Sequence, residues 1–548
     1  MADPAPAHSS PPLSPPGAPE SAAGPGAQAP ARPSPAGASS PHVSSAPVVG
    51  TIISTLEGTP NTGEFHFVIQ GDGVKKGQFV QVQSPAGPVL GVVVEISRSN
   101  RYFERAESVA EYERLGVLTA QFPTAEWEYM VAEVRVQGVL NGAHLARASL
   151  PVAPGHAVHN ASDEQLKKLL GLDEHGLELG TLTHHTLPIK VALSRLLQKH
   201  LAILAMSGSG KSYLAGVLIE ELLDRPADKG RIAVVVIDNH GEYVGFKDSI
   251  YRSRVQVVDA AKMRIGLRHL SAGQLAEWSS MSAVARRALD AHVSELKRRV
   301  KETHEAEGLE ELIESVRNDA SLNKKENVRG PLLEALEELR SLRVIGASDS
   351  FKPADMLKPG QLTVMDLSTV DSIRKKQILV AYYGRKLFRQ RKKNLIPPYV
   401  MVVEEAHNFA PERAEKRSAI SKPVIETLAR EGRKFGASLC LISQRPVHLS
   451  TTSLANCNSN IILRITNPFD LKHIGESCEG IDSRMQDSIT SLRVGEALIL
   501  GEAVGAPVFV SVRKRRSQTV VRGESLEKIA QEFEEKSKRK EDEIEAFL

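Results

Sequence analysis

Residues 206–212, Met-Ser-Gly-Ser-Gly-Lys-Ser, constrain this chain more than any other stretch. The apolar run HLAILA leads into them, and a helical pattern, YLAGVLIEELL, leads out. A glycine-rich turn between strand and helix lets successive backbone N–H groups face one anion, and the helix N-terminus adds its positive dipole end. Such a loop cradles nucleotide phosphates. Lys211 is expected to reach the β- and γ-phosphates, and the Ser212 hydroxyl to take a place on Mg²⁺. Ser207, Gly208, Ser209 and Gly210 complete the expected nucleotide-binding set. The usual G-x-x-x-x-G-K-S pattern opens on glycine, and here Ala205, the smallest substitute, stands in its place.

The loop sets the reading of its surroundings. Apolar runs HLAILAM, RIAVVVID, QLTVMDL, YVMVVEE and SLCLISQ alternate with helical segments. That alternation predicts an α/β core over 191–516, a parallel sheet with helices on its faces. Between 271 and 342 the strands stop, and amphipathic patterns such as ARRALDAHVSELKRRVKE predict a helical insertion. Before the core, short β-rich runs separated by Gly, Asn and Pro turns predict a small closed barrel over 47–152, followed by a connector over 153–190. Residues 1–46 are almost entirely Pro, Ala, Ser and Gly and read as a disordered tail. Residues 517–548 read as a charged helix with a thin apolar stripe of Leu526, Ile529 and Phe533.

Two glutamates, Glu404 and Glu405, end the run Val400-Met401-Val402-Val403. Charges at the end of a buried strand make sense beside a phosphate loop. The strand is expected to lie next to the P-loop strand, with Glu404 holding Mg²⁺ through water and Glu405 polarising the attacking water. Gln444 ends another strand, where a neutral amide can sense the γ-phosphate. Arg430, Arg433 and Lys434 fall near the C-terminus of a helix, where cations suit the dipole. The alternative for Arg430, or else Arg433, is a finger donated in trans to the next subunit's nucleotide.

Composition excludes several classes. A formal net charge of +3 gives no bulk basicity, so any nucleic-acid contact must come from local patches. Arg413, Lys416 and Arg417, just past the paired glutamates, are the candidates for DNA. Cys440, Cys457 and Cys478 lack the spacing of a zinc site or disulfide framework and read as buried small hydrophobes in a reducing compartment. No apolar run reaches a membrane span, and the N-terminus lacks a secretory pattern, so a cytoplasmic protein is expected.

Taken together, SGSGKSY, IDNHGEY (237–243), EEAHNFAPE, AREGRKFG and SQRP resemble the HerA branch of the HerA–FtsK superfamily of ring-shaped DNA-pumping ATPases. The resemblance covers about Val48 to Arg516. It implies a RecA-like core, a homohexamer with ATP and Mg²⁺ at subunit interfaces, duplex DNA in the pore, and a NurA-like nuclease docked on the barrel face. It also implies Gly208 to Tyr213 lining the phosphates, Glu405 as catalytic base and Arg430 acting in trans. Lys199 and the run Arg513-Lys514-Arg515-Arg516 would approach the nucleotide, although that run also fits a solvated strand end or a DNA contact. Asp238, His240 and Glu242 form a motif beside the nucleotide with roles left open. A ring scaffold that uses ATP to gate a partner without translocating needs the same P-loop and stays open, as does a motor on another polymer.

Overall fold

The computed structural model describes residues 47–54, 58–71, 73–100, 114, 128–142, 144–279, 281–322, 325–413, 419–478, 480–518 and 526–545. The tail read over 1–46 lies outside them, as do Lys416 and Arg417.

Seven strands come first: β1 (Val48–Ile53), β2 (Glu64–Ile69), β3 (Phe79–Ser84), β4 (Gly87–Asn100), β5 (Glu128–Asn141), β6 (His144–Ala146) and β7 (Ala157–Asn160). Alternation drives their inward faces. Phe65, Phe67 and Ile69 of β2 point into a core shared with Val80, Val82 and Val134. Hydrogen bonding runs β2-β1-β7-β3-β4-β5 and returns from β5 to β2, closing a barrel of six antiparallel strands with β6 appended to β5. The strand that completes the circle, β7, lies past residue 152, where the sequence placed the barrel's end. Arg135 pairs with Asp482 at 2.6 Å and Arg484 with Glu133, so ion pairs join the barrel wall to the core.

The core is built on β8 (Leu177–Leu182), β9 (Pro188–Val191), β10 (Leu201–Leu204), β11 (Ala233–Asp238), β12 (Val255–Asp259), the short β13 (Ile265–Gly266) and β14 (Ile345–Gly346), β15 (Leu362–Asp366), β16 (Tyr399–Val403), β17 (Ala437–Ser443), β18 (Ser459–Ile462), β19 (Glu496–Gly501) and β20 (Val508–Val512). Eleven of them form one sheet in the order β12-β15-β11-β16-β17-β10-β18-β19-β20-β8-β9. From β12 to β18 every pairing is parallel. Strands covered by helices on both faces have no solvent side, which is why β10, β11, β15 and β16 are buried at every position.

One expectation is overturned here. The strand carrying the glutamates, β16, is not next to the P-loop strand β10, because β17 lies between them and hydrogen-bonds to both. Adjacency in a parallel sheet follows from where the crossover helices pack, not from the chemistry at the strand ends.

Four helices, Ala272–Ser279, Ala283–Thr303, Leu309–Arg317 and Glu326–Ser341, stand between β13 and β14. These two short strands pair with each other and bring the ends of the helical segment together. The three cysteines are free and buried. The last described helix, Leu526–Glu545, leaves Leu526, Ile529 and Phe533 exposed.

Candidate active site

The C-terminal ends of β10, β11, β16 and β17 converge on one place. Past β10 the chain turns through Gly208 and Gly210, at φ +76° and +99°, conformations that side chains other than glycine's rarely adopt. Ser209 closes the turn by donating its hydroxyl to the Met206 carbonyl at 2.7 Å, so this hydroxyl serves the loop. Lys211 then opens the helix Lys211–Asp224.

Although β17 intervenes, Lys211 reaches the end of β16. Its Nζ lies 2.9 Å from Glu405 Oε1 and 3.9 Å from Glu404 Oε1. Burial opposes the ammonium charge, but Glu405 and then Glu404 more than offset this and hold the Lys211 pKa above its ordinary value. Glu405 is buried and has a left-handed backbone, φ 48° and ψ 50°. That conformation costs a non-glycine residue about 1–2 kcal/mol and turns the chain sharply just past the strand.

Glu404 is fully buried. Its Oε2 accepts the N–H groups of Asn239 at 3.0 Å and His240 at 3.2 Å. Those residues belong to IDNHGEY, whose fold follows from Asp238. The Asp238 carboxylate accepts N–H groups from Gly241 (2.7 Å), Glu242 (3.0 Å) and Tyr243 (2.9 Å), which winds the loop around one buried side chain. The roles left open in the sequence thus separate: Asp238 builds the loop, His240 offers its backbone to Glu404, and Glu242 brings a carboxylate to the Ser212 hydroxyl. Burial, then the Asp238 and Glu242 charges, push the Glu404 pKa far above the usual carboxylate range. Glu242 feels burial too, but contact with Glu404 and Ser212 and the Lys211 charge hold it low.

Such crowding is what a divalent cation relieves. Glu404 Oε1 and Glu242 Oε2 are buried without a hydrogen-bond donor. Among the described residues no three or more His, Cys, Asp or Glu form a ready-made metal cage. Mg²⁺ does not need one, since it keeps several waters and takes only one or two protein ligands beside phosphate. Ser212 and Glu404, with Glu242 nearby, fit such an ion, which would offset phosphate charge when bound.

Gln444 follows β17 directly and lines a cavity of about 410 Å³ with Met206, Ser207, Arg445 and Thr466. Arg413 is exposed on the strand-end side, where Pro411 bridges to Leu449.

Several expected residues are not brought to this place within the chain. Lys199 precedes β10, so the whole strand, about 13 Å long at roughly 3.3 Å per residue, separates it from the P-loop. Its ammonium instead pairs with Glu502 at 2.6 Å. Arg513 is spent on the far half of the P-loop helix, paired with Glu220 at 2.8 Å and Glu221 at 2.6 Å. Lys514 is exposed. The Tyr213 hydroxyl turns away from the phosphates to accept the Arg515 N–H at 2.6 Å. Arg430 and Arg433 are exposed at the opposite end of the sheet, before β17 begins, with Glu426 3.9 Å from Arg430.

Arg515, expected only as part of a basic run approaching the nucleotide, packs on the P-loop helix instead. Its side chain is 2% exposed, lies 5.0 Å over the Phe246 ring, and fills the space above Gly216, where a Cβ would come within 2.6 Å of its Nε. Buried Glu220 accepts N–H groups from Arg516 and Ser517, completing a strap across the helix. The signal for this packing was the glycine in YLAGVLIEELL, a poor helix former that the strap requires.

A phosphate loop at the end of a parallel strand, with a lysine and paired acids converging on it, defines a P-loop ATPase. Residues 177–387 match the family described as the central domain of helicase HerA. A probable helicase of Methanocaldococcus jannaschii is 27% identical over 485 residues, which cover 84% of this chain and 91% of the relative. The DNA double-strand break repair helicase HerA of Pyrococcus furiosus is 29% identical over 497 residues, covering 80% and 88%. The solved structure of VirB4 from Thermoanaerobacter pseudethanolicus aligns with a TM-score of 0.47 and 15% identity, covering 62% of this chain and 97% of that one. Over most of its length the chain is thus similar to helicases of the HerA type.

Proposed function

We propose that this ATPase is a cytoplasmic motor that translocates on or unwinds duplex DNA. It works as a homohexamer in DNA end processing, with a NurA-like nuclease docked on the barrel. The relatives named as DNA double-strand break repair helicases support the DNA reading. No helix among the described residues is long and apolar enough to cross a membrane. The observation that carries the proposal is the contact of Lys211 with Glu405 beneath the P-loop.

In this reading the phosphates of ATP draw Lys211 off Glu405. The freed carboxylate takes a proton from the attacking water as the γ-phosphoryl group leaves ADP as inorganic phosphate. Gln444 orients that water. Arg430, or Arg433, acts on the neighbour's nucleotide, which suits its exposure far from this chain's own P-loop. Arg413, with Lys416 and Arg417, faces the pore and binds DNA backbone. Barrel, core and inserted helices divide the work as docking platform, motor and accessory layer.

The test is ATP turnover with and without linear duplex DNA, on wild type and Glu405→Gln, with particle masses measured on the same samples. DNA raising turnover several-fold in a hexamer, with Glu405→Gln inactive, supports the motor. Turnover indifferent to DNA sinks it in favour of a nucleotide-gated scaffold.

A further inference from the structure

We propose that His407 is the positioning residue that fixes the Glu405 carboxylate against the strand end carrying Gln444. This rests on Glu405 being the base of ATP hydrolysis.

The geometry is local and tight. Past Glu405 the chain makes a single short turn, Ala406–Asn408, closed by the Asn408 N–H donating to the Glu405 carbonyl at 2.8 Å. The turn sends the His407 side chain back beneath the strand ends, where it is 13% exposed. Its Nδ1 lies 3.4 Å from Glu405 Oε2 and 3.2 Å from Ser443 Oγ. Ser443 is the last residue of β17, and its Oγ also accepts the Arg445 N–H at 3.1 Å. One ring nitrogen therefore faces both the carboxylate and the hydroxyl just before Gln444. A proton on Nδ1 lets the ring donate to either.

Lys211 anchors Glu405 Oε1, while Oε2 is buried without a hydrogen-bond partner, with His407 Nδ1 3.4 Å away and bonded to Ser443 Oγ. Phosphate binding removes that anchor, because the lysine cannot keep the carboxylate and serve the phosphates together. His407 Nδ1 then turns its proton to the unpartnered Oε2 and holds the base during the chemical step. Through Ser443 it also keeps base and sensing amide in one frame, a requirement when small displacements of a reacting group are costly.

Asparagine and glutamine separate this from a packing role. The Asn amide nitrogen occupies the place of Nδ1, whereas that of Gln reaches the place of Nε2. Both variants are polar and smaller than or similar to histidine, and melting temperature and labelled-ADP binding check that each is folded. His407→Asn should keep DNA-stimulated kcat within about threefold of wild type, while His407→Gln should lose about a hundredfold with KM for ATP and ADP binding unchanged. Equal kcat for the two variants, at either level, overturns the proposal, as does a loss in His407→Gln that tracks weakened ADP binding. Glu405→Gln run alongside keeps the premises apart. If it stays active, the reading of Glu405 is wrong; if it is inactive while both His407 variants match wild type, only the role of His407 fails.

Discussion

Glu405 is held at once by a strained backbone and by the lysine it must release. Glu405→Gln removes the ion pair without changing shape. Turnover should fall on the order of 10²–10⁴-fold, the usual worth of a general base. Affinity for labelled ADP should rise, because Lys211 no longer has to leave a carboxylate. Weaker ADP binding in a fluorescence titration would contradict this account of the lysine. A second residue gives a pH signature. His200 is buried, sits at φ 64°, and accepts the Leu439 N–H on Nδ1 at 3.0 Å. Burial pushes its pKa down to about 4. Its stabilising effect is complete above the unfolded value of about 6.5 and is lost as pH falls from there toward 4, since the unfolded chain takes up the proton first. Between pH 7.5 and 5 wild type should lose about 2 kcal/mol more than His200→Gln. Parallel denaturation curves at the two pH values measure it, and an equal loss in both proteins refutes it.

At the scale of elements, the P-loop helix is gripped from the far end of the chain. Gly216→Ala ordinarily favours a helix by roughly 0.8–1.0 kcal/mol. Here the added methyl group meets the buried Arg515 guanidinium, and displacing it breaks the stack on Phe246. Gly216→Ala should therefore lower stability by about 1–3 kcal/mol, as overpacking does. Differential scanning calorimetry decides the sign, and a higher melting temperature would show that Arg515 is easily moved. The same helix shows what could be read from sequence. SGSGKS between an apolar run and a helical pattern announced the phosphate loop, and Glu404 and Glu405 were visible as charges ending a buried run. Period-two alternation made the barrel legible. What stayed hidden was adjacency. Nothing in YVMVVEE or SLCLISQ says that β17 comes between β16 and β10. Nor does IDNHGEY say that Asp238 spends its carboxylate on three backbone N–H groups. The packing role of Arg515 stayed hidden for the same reason, its partners lying some 300 residues earlier.

For the molecule as a whole, an arginine exposed far from its own P-loop makes a sharp prediction. Arg430→Ala and Glu405→Gln should each be inactive alone. Mixed and reassembled, they should regain activity, because about a quarter of head-to-tail junctions then join an intact Glu405 to an intact Arg430. No recovery in a steady-state ATPase assay of mixed rings argues for Arg433 or against a trans contribution. Binding through a ring of Arg413 side chains is a matter of backbone charge, so DNA stimulation should fall steeply with added salt and be indifferent to base sequence. A strong sequence preference would point away from these side chains.

The strap over the P-loop helix also sets an order of events in time. Arg513 meets Glu220 across 293 residues of chain, and Ser517 meets it across 297. At synthesis rates of about 5–20 residues per second, that interval is roughly 15–60 seconds. Throughout it, the nucleotide-gripping helix has left the ribosome without its last wall, and buried Glu220 has no partner for its charge. The finishing contact comes with the final segment of the core, so a nascent or truncated chain carries the phosphate loop without a completed motor around it. Closure of the wall around the P-loop helix is thereby tied to synthesis of the core's last segment.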